Sequence, residues 1–253
     1  EIGASLAAYA ADLPRIKRLD ATILTVDAGA RSQLASLIGA APENLHVVPP
    51  AVRIGPAPAA RSELRQLVVG CGTASLRKGA DLFCEVAARL RGEGLGAAGF
   101  GWIGGSGDAG MASVIRRLGL EDMVEVVGEV ADPASLFDQA SLLLLPSRED
   151  PYPLVCLEAA ERGVPTVCFD RRAGGIAAFV EDDAGVVVPA FDVDAMANAV
   201  RGLLDDEERC RALGRAARAK VERQHAIESV AQTILDLAAD RVRRGGDQGR
   251  ISR

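Results

Sequence analysis

The chain has 253 residues, of which 49% are hydrophobic and 25% charged, and its formal net charge is −6. This length suits one large or two modest domains with a sizeable apolar core. The acidic balance argues against nucleic acid or an anionic membrane surface as the main partner, and no apolar run approaches the roughly 18 residues of a membrane span.

The first part of the chain holds too few elements for a doubly wound domain. Apolar periodicity predicts a helix over 1–19, a strand over 21–26, a helix that follows Asp27 and runs through Gly39, and a strand over 46–49. Segment 50–65 is rich in proline, alanine and arginine, which is typical of a linker between domains. The sequence shows no signal-peptide pattern. It begins without methionine, so we expect it to be a piece of a longer protein.

From Leu67 onward, short apolar runs alternate with longer helical segments. Strands are predicted over 67–70, 99–103, 124–127, 141–145, 166–169 and 185–188, and helices over 80–91, 109–118, 133–139, 154–162 and near Phe179. Parallel strands need crossover connections, and helices of ordinary length supply them here. The pattern therefore predicts an α/β fold, a Rossmann-like doubly wound parallel sheet covered on both faces.

The last part of the chain is predicted to be helical. Amphipathic patterns cover 193–204, 207–224 and 227–242, and the Asp205-Asp206 pair is placed to cap the second of these helices. The basic, glycine-rich segment 243–249 is predicted to be disordered.

Four loops follow strand ends and are expected to meet at one edge of the sheet, where parallel α/β folds bind ligands. Loop 70–79 combines glycines and hydroxyls with Arg77 and Lys78 before a helix, which suits a phosphate. The loop lacks the GxxxxGK[ST] spacing of a P-loop. Taken alone, the two cations fit a solvated surface pair as well.

Two further loops are rich in glycine. Segment 104–108, GGSGD, loosely resembles a dinucleotide-binding turn, although its glycines would equally serve only to permit a tight turn. Segment 172–176, RAGGI, allows the close backbone approach that phosphate or sugar oxygens need.

The strand, loop and helix over 141–163 carry two carboxylates. Asp150 lies where the strand opens into the predicted crevice, and Glu158 lies in the following helix among apolar residues. The alternative for Asp150 is a helix N-cap, and the alternative for Glu158 is a solvated helix face. A buried carboxylate needs a partner, and a sugar hydroxyl is one candidate.

Other catalytic constellations are not indicated. The five cysteines form no CxxC pair and have no histidine at ligand spacing, so reduced, mostly buried thiols are expected. His46 and His225 have no serine or cysteine in a triad arrangement, which leaves a hydrolase without support.

The order of the motifs RKG, GGSGD, GEV, PSREDPYPLVCLEA and VPTVCFDRRAGG resembles the donor-binding domain of the family 4 retaining glycosyltransferases, which have the GT-B fold. The resemblance covers about 67–224. It implies that 1–50 is a remnant of the N-terminal, acceptor-side domain, that 51–65 is the interdomain linker and that 66–224 is the nucleotide-sugar donor-binding domain. Residues 225–253 would then form a C-terminal helix and a disordered basic tail.

The family has a paired-acid motif, Glu-x7-Glu. Asp150 and Glu158 have the same spacing, so they resemble this motif with aspartate in place of the first glutamate. The resemblance implies that Asp150 faces the donor sugar, that Glu158 holds the ribose hydroxyls and that Lys78 neutralises the diphosphate leaving group. The family's usual arginine would fall near Cys71, and Arg77 is its substitute. The donor-binding residues implied are Gly72, Arg77, Gly104, Gly105, Val130, Tyr152, Pro153, Leu154, Val155, Gly174 and Gly175.

The resemblance implies transfer from a UDP- or GDP-sugar to a carbohydrate or lipid-linked acceptor, with retention of anomeric configuration. It implies no metal, no other cofactor and no protein nucleophile, and it suggests a cytoplasmic protein, with peripheral attachment to the inner membrane as an alternative. Two other functions stay open. One is a non-catalytic module that binds a nucleotide sugar, and the other is a nicotinamide-dependent enzyme, for which the glycine pattern is poor.

Overall fold

The computed structural model describes residues 22–38, 45–58, 66–95, 98–105, 110–181 and 183–248. The predicted helix over 1–19 lies outside these residues. Contacts within the chain divide it into two compact units. One comprises Glu1–Ala51 and Ile227–Arg253, and the other comprises Val52–Ala226.

The first unit contains a small parallel sheet. Strand β1 (Ile23–Thr25) is followed by helix α1 (Ala28–Ile38) and strand β2 (Leu45–Val47), and Leu24 pairs with His46 across the two strands. The carboxylate of Asp27 accepts the backbone N–H of Ala30 at 2.7 Å, which fixes the start of α1.

The second unit is built on a six-stranded sheet in which every described pair is parallel. Its strand order is β5-β4-β3-β6-β7-β8, so the direction of winding reverses between β3 and β6. This order confirms the predicted doubly wound sheet. The strands are β3 (Leu67–Cys71), β4 (Gly99–Ile103), β5 (Val124–Gly128), β6 (Leu142–Leu145), β7 (Thr166–Phe169) and β8 (Gly185–Val188).

Helices connect these strands or follow the last of them, and they cover both faces of the sheet. Aspartates cap the last two: Asp192 accepts the N–H of Ala195 at 2.8 Å, and Asp206 accepts that of Arg209 at 2.9 Å. The Asp206 cap was predicted from the sequence and is confirmed. The helices are α2 (Ala80–Gly92), α3 (Gly110–Leu118), α4 (Ala134–Phe137), α5 (Leu154–Glu161), α6 (Ala177–Val180), α7 (Val193–Asp205) and α8 (Glu207–Gln224).

The core lies on both sides of the sheet, because successive strand side chains point to opposite faces. In β6, Leu142 and Leu144 join one apolar cluster, while Leu143 and Leu145 join the other. A strand buried on both faces gives a continuous apolar run, which explains the four consecutive leucines. In the first cluster, Phe83 packs edge-on against the rings of Phe100 and Trp102, at centroid distances of 5.4 and 5.2 Å.

Helix α9 (Ile227–Gln248) belongs to the first unit. It continues past Val242, so residues 243–248 are helical rather than disordered as predicted, and the rest of the tail lies outside the described residues. Across the described ranges, none of the helices combines the length and the apolar character needed to cross a membrane.

Candidate active site

The carboxyl ends of β3 and β6 mark the point where the winding of the sheet reverses. Ligands of open α/β sheets bind in the crevice at this position. The loop from β3 to α2, which carries Lys78, and the loop from β6 to α5, which carries Asp150, flank it. Glu158 lies in the middle of α5.

Lys78 and Asp150 form an ion pair between these two loops. Only 17% of the Lys78 side chain and 9% of the Asp150 side chain are exposed, so the pair is largely shielded from water. The alternative that Asp150 caps α5 is wrong, because Pro153 occupies the N-cap and no side chain caps that end. The alternative that Lys78 is a solvated surface residue is also wrong, because most of its side chain is buried.

Arg77, the neighbouring cation, is exposed and holds the backbone of the second loop. Its guanidinium donates to the carbonyl oxygen of Glu149 at 2.9 Å, and its own carbonyl accepts the N–H of Arg148 at 2.8 Å. Arg148 in turn makes a bidentate ion pair with Asp81 of α2, with both N–O distances 2.7 Å. Burial alone would raise the pKa of Asp81, but the Arg148 hydrogen bonds and charge bring it below its usual value. Sequence reasoning missed Arg148, which ties the two loops together.

The glycines after β3 and β4 join neighbouring loops through their backbone. Gly72 donates its N–H to Ile103 and Gly104 donates to Gly128, both at 2.8 Å. The carbonyl of Gly72 accepts the indole N–H of Trp102 at 2.9 Å. A β-carbon at Gly105 would lie 2.7 Å from the Glu129 carboxylate. These contacts hold the edge of the crevice in a fixed shape.

The glycines after β7 position Asp150. A β-carbon on Gly174 would lie 1.9 Å from the carbonyl oxygen of Asp150, so only glycine permits this approach. The N–H of Asp150 donates to Ala173 at 2.9 Å, and the N–H of Gly175 donates to Pro151 at 3.0 Å. The backbone of the β7 loop therefore holds the Asp150 loop beside it.

Glu158 is half-buried on α5, which does not match a fully solvated helix face. Burial, with the charge of Asp132 as a smaller cause, raises its pKa. The charge of Glu158 also acts on Cys71. Burial, and to a smaller extent Glu158, raise the pKa of the Cys71 thiol to about 11, while the charge of Lys78 acts in the opposite direction. Among the described residues, the Glu158 carboxylate has no hydrogen-bond or ion-pair partner, so it is available to hydroxyl donors of a ligand.

The raised pKa of Glu158 predicts that Glu158→Gln stabilises the unliganded protein. A carboxyl with a raised folded-state pKa contributes most while protonated, and that contribution is lost as the pH rises through the folded pKa. At pH 7.5 we expect the substitution to raise the thermal midpoint by about 1–3 °C. The gain should shrink as the pH falls and disappear below pH 4.5, the ordinary pKa of glutamate. Differential scanning calorimetry with the exposed Glu125→Gln as control would measure it, and a lowered midpoint would contradict the burial of this charge.

The remaining predicted residues lie around the start of α5 and after β5. Val130 and Leu154 are 37% and 48% exposed, Val155 is partly buried and Pro153 is buried. No carbonyl or side chain in the described ranges accepts from the N–H groups of Leu154 and Val155, so the helix start can receive an anion. Tyr152 points its hydroxyl to the buried ring of His225, with an oxygen–Nε2 distance of 3.3 Å.

Ser147 was not predicted as a site residue. It is 4% exposed and lines a pocket with Asp150 and Gly174, and its hydroxyl has no hydrogen-bond partner in the described part of the chain. The available signal was its position as the first side chain able to hydrogen bond after the buried strand β6.

The cysteines are free, and four of them are buried; Cys71 is partly exposed. Within the described residues, no three histidine, cysteine or acidic side chains are grouped as metal ligands.

The crevice at the reversal point, the glycine loops and the fold together define a domain of the GT-B glycosyltransferase type. A family model for glycosyl transferases group 1 matches residues 58–220, and the chain belongs to this family. It is 29% identical over 264 residues to the D-inositol 3-phosphate glycosyltransferase of Kineococcus radiotolerans, covering 89% of this chain and 60% of that protein. The enzyme of the same name from Mycolicibacterium paratuberculosis is 32% identical over 205 residues, covering 75% of this chain and 45% of that protein.

Solved structures show the same fold. TarM superposes with a TM-score of 0.79 at 22% identity, covering 92% of this chain and 45% of that chain. Anabaena Alr3699/HepE in complex with UDP-glucose superposes with a TM-score of 0.78 at 20% identity, covering 91% of this chain and 68% of that chain. The chain thus spans less than two thirds of the two curated relatives and of TarM.

Proposed function

We propose that the chain contributes the donor-binding half of a retaining glycosyltransferase that uses a nucleotide diphosphate sugar. The observation that carries this proposal is the shielded Lys78–Asp150 pair between the β3 and β6 loops, at the point where the sheet reverses its winding. Its ammonium and its carboxylate suit the two ends of such a donor, since one attracts a diphosphate and the other accepts hydrogen bonds from sugar hydroxyls.

Charge development during transfer explains the role of Lys78. The bond between the anomeric carbon and the diphosphate oxygen breaks, and its electron pair leaves with the diphosphate. A positioned cation and the free N–H groups at the start of α5 stabilise the departing negative charge. In this scheme, a divalent metal is not needed at the diphosphate, and Arg77 at the same loop adds positive charge.

Retention is proposed to follow from attack on the face of the sugar that the diphosphate leaves. The acceptor hydroxyl oxygen forms the new bond to the anomeric carbon, and its proton passes to the departing diphosphate oxygen. Asp150 is not assigned as a nucleophile, since its carboxylate is paired with Lys78. We assign it instead to the donor sugar.

Glu158 is assigned to the ribose hydroxyls, because its carboxylate is half-buried and unpaired among the described residues. Val130 and its backbone are assigned to the base, and Leu154 and Val155 to the diphosphate through their N–H groups. Gly174 and Gly175 act mainly by fixing Asp150. Solved relatives of the same fold include complexes with UDP and with UDP-glucose, which supports a uridine nucleotide, with GDP-sugars as the alternative donor class.

The acceptor is proposed to be a carbohydrate or a lipid-linked saccharide, bound with the help of a further domain. The similar proteins include a D-inositol 3-phosphate glycosyltransferase and WaaG, a glycosyltransferase involved in lipopolysaccharide biosynthesis, which supports this choice of acceptor. We propose a cytoplasmic location, with or without peripheral membrane attachment, for a protein that uses a nucleotide diphosphate sugar as donor.

Isothermal titration with UDP, GDP and NAD tests the proposal on the chain as it is. We expect UDP or GDP to bind, NAD not to bind, and Glu158→Gln to weaken nucleotide binding about tenfold through the lost hydrogen bonds to ribose. Binding should survive addition of EDTA. Binding of NAD alone would refute the proposal and support a nicotinamide-dependent enzyme.

The alternative function, nucleotide-sugar binding without transfer, predicts a different outcome: the chain will bind the donor but release no free nucleoside diphosphate when acceptor saccharides are added.

A further inference from the structure

Ser147 lines a pocket, and its hydroxyl is buried without a hydrogen-bond partner among the described residues. Only 4% of the residue is exposed. Burying a hydroxyl without a partner costs free energy, and native structures satisfy nearly all such groups. A buried serine in this state gains a hydrogen bond when a group from outside the protein reaches its hydroxyl.

The pocket lies at the carboxyl ends of β6 and β7. Its lining is mostly apolar and includes Leu145, Phe169 and Ile176, and Ser147 and Asp150 are the lining residues with polar side chains. The space holds roughly one water-sized group. A ligand can therefore insert one small substituent, and it must do so next to the Asp150 carboxylate.

The chemistry of these two polar residues selects the substituent. Asp150, as a carboxylate paired with Lys78, accepts hydrogen bonds, whereas the Ser147 hydroxyl can either donate or accept. A hydroxyl group satisfies both by donating to one and accepting from the other. A carboxylate would be repelled by Asp150, an acetamido group is too large, and a methyl group would leave both polar residues unsatisfied.

We propose that Ser147 binds a single hydroxyl of the donor sugar and so determines which sugars the site accepts. The proposal rests on the proposed function, because it requires a nucleotide sugar in this crevice, and it adds a specificity-determining residue to Asp150. Gly174 shapes the same pocket by holding the Asp150 backbone.

The test compares nucleotide sugars with their nucleoside diphosphates by isothermal titration of the whole chain. UDP-glucose, UDP-galactose, UDP-N-acetylglucosamine and GDP-mannose are titrated against wild type, and the tightest donor is then titrated against Ser147→Ala. We expect this variant to bind that donor about tenfold more weakly, while UDP or GDP alone binds as before. Ser141→Ala is the matched control, since Ser141 is also 4% exposed but lies before the amino end of β6.

Deoxy analogues of the tightest donor identify the hydroxyl. The analogue that lacks the bound hydroxyl should lose about tenfold in affinity for wild type and nothing further for Ser147→Ala, the non-additive result expected of two groups in contact. If Ser147→Ala does not fold, Ser147→Cys, which replaces the hydroxyl by a larger and more weakly hydrogen-bonding thiol, serves in its place.

Two results separate this proposal from the proposed function. If wild type binds a nucleotide sugar and Ser147→Ala binds it equally well, or loses UDP affinity by the same factor, the hydroxyl has only a structural role and the Ser147 proposal is wrong. If wild type binds no nucleotide or nucleotide sugar at all, the proposed function fails and the Ser147 proposal fails with it.

Discussion

Lys78→Met is expected to lower turnover of the nucleotide sugar by about 10²- to 10³-fold, the usual cost of removing one positioned group that stabilises developing negative charge. Methionine keeps much of the length and apolar character of the lysine stem but removes the ammonium that pairs with Asp150. Because that charge is assigned to the diphosphate, the affinity for UDP should fall while the affinity for uridine stays the same. Turnover is measured as release of free nucleoside diphosphate by a full-length protein that includes the acceptor-binding half, and affinity by isothermal titration of this chain.

Lys220→Met is the matched control for the loss of a shielded lysine. Its ammonium pairs with Asp183 at 2.8 Å with 11% of its side chain exposed, but it lies beside the segment that leads into the amino end of β8. Lys220→Met should therefore leave UDP affinity unchanged.

Lys78→Met also leaves the Asp150 carboxylate buried without its partner, which destabilises the fold. The double variant Lys78→Met/Asp150→Asn removes that uncompensated charge, so its thermal midpoint should recover while its turnover stays low. Equal losses of UDP and uridine affinity in Lys78→Met, or a recovery of turnover in the double variant, would show that Lys78 acts only on the structure.

The strands and helices around this site were predictable because their signals are local. Four consecutive leucines indicated a strand buried on both faces, and Gly163 and Asp206 marked helix boundaries that the structure reproduces within a residue or two. Helix α9 departs from the prediction at its end, where the glycines at 245 and 246 favoured disorder but the helix continues to Gln248.

The contacts that assemble the site were less predictable because they join distant parts of the chain. Lys78 and Asp150 are 72 positions apart, and Asp81 and Arg148 are 67 apart. Both contacts depend on β3 and β6 being neighbours, and strand order is not encoded in local periodicity. The resemblance singled out Lys78 and Asp150 through their motifs but not their pairing, and no motif marked Arg148 as an anchor.

Gly79→Ala is expected to destabilise the protein and the site together. Gly79 precedes α2 with φ of 73°, and a β-carbon there would lie 2.0 Å from the carbonyl oxygen of Pro146. Left-handed backbone costs an alanine about 1 kcal/mol or more, and the collision with a backbone atom adds to it, so we expect a total of about 3 kcal/mol. For a chain of this size, that corresponds to a fall of about 6–12 °C in the thermal midpoint.

Because of the position of Gly79, the substitution should lower the affinity for UDP as well as the stability of the fold. It follows Lys78 directly, and Pro146 lies just before Ser147, so separating the two backbones moves both loops of the crevice. The affinity for UDP should therefore fall even at temperatures where the variant is fully folded.

Gly92→Ala, at the other end of α2, is the matched control, because a β-carbon there meets no atom within 4 Å. That substitution should raise stability by up to about 0.5 kcal/mol through the lower entropy of the unfolded chain. If Gly79→Ala and Gly92→Ala have the same midpoint and the same UDP affinity, the close approach of the β3 and β6 loops does not hold the site together.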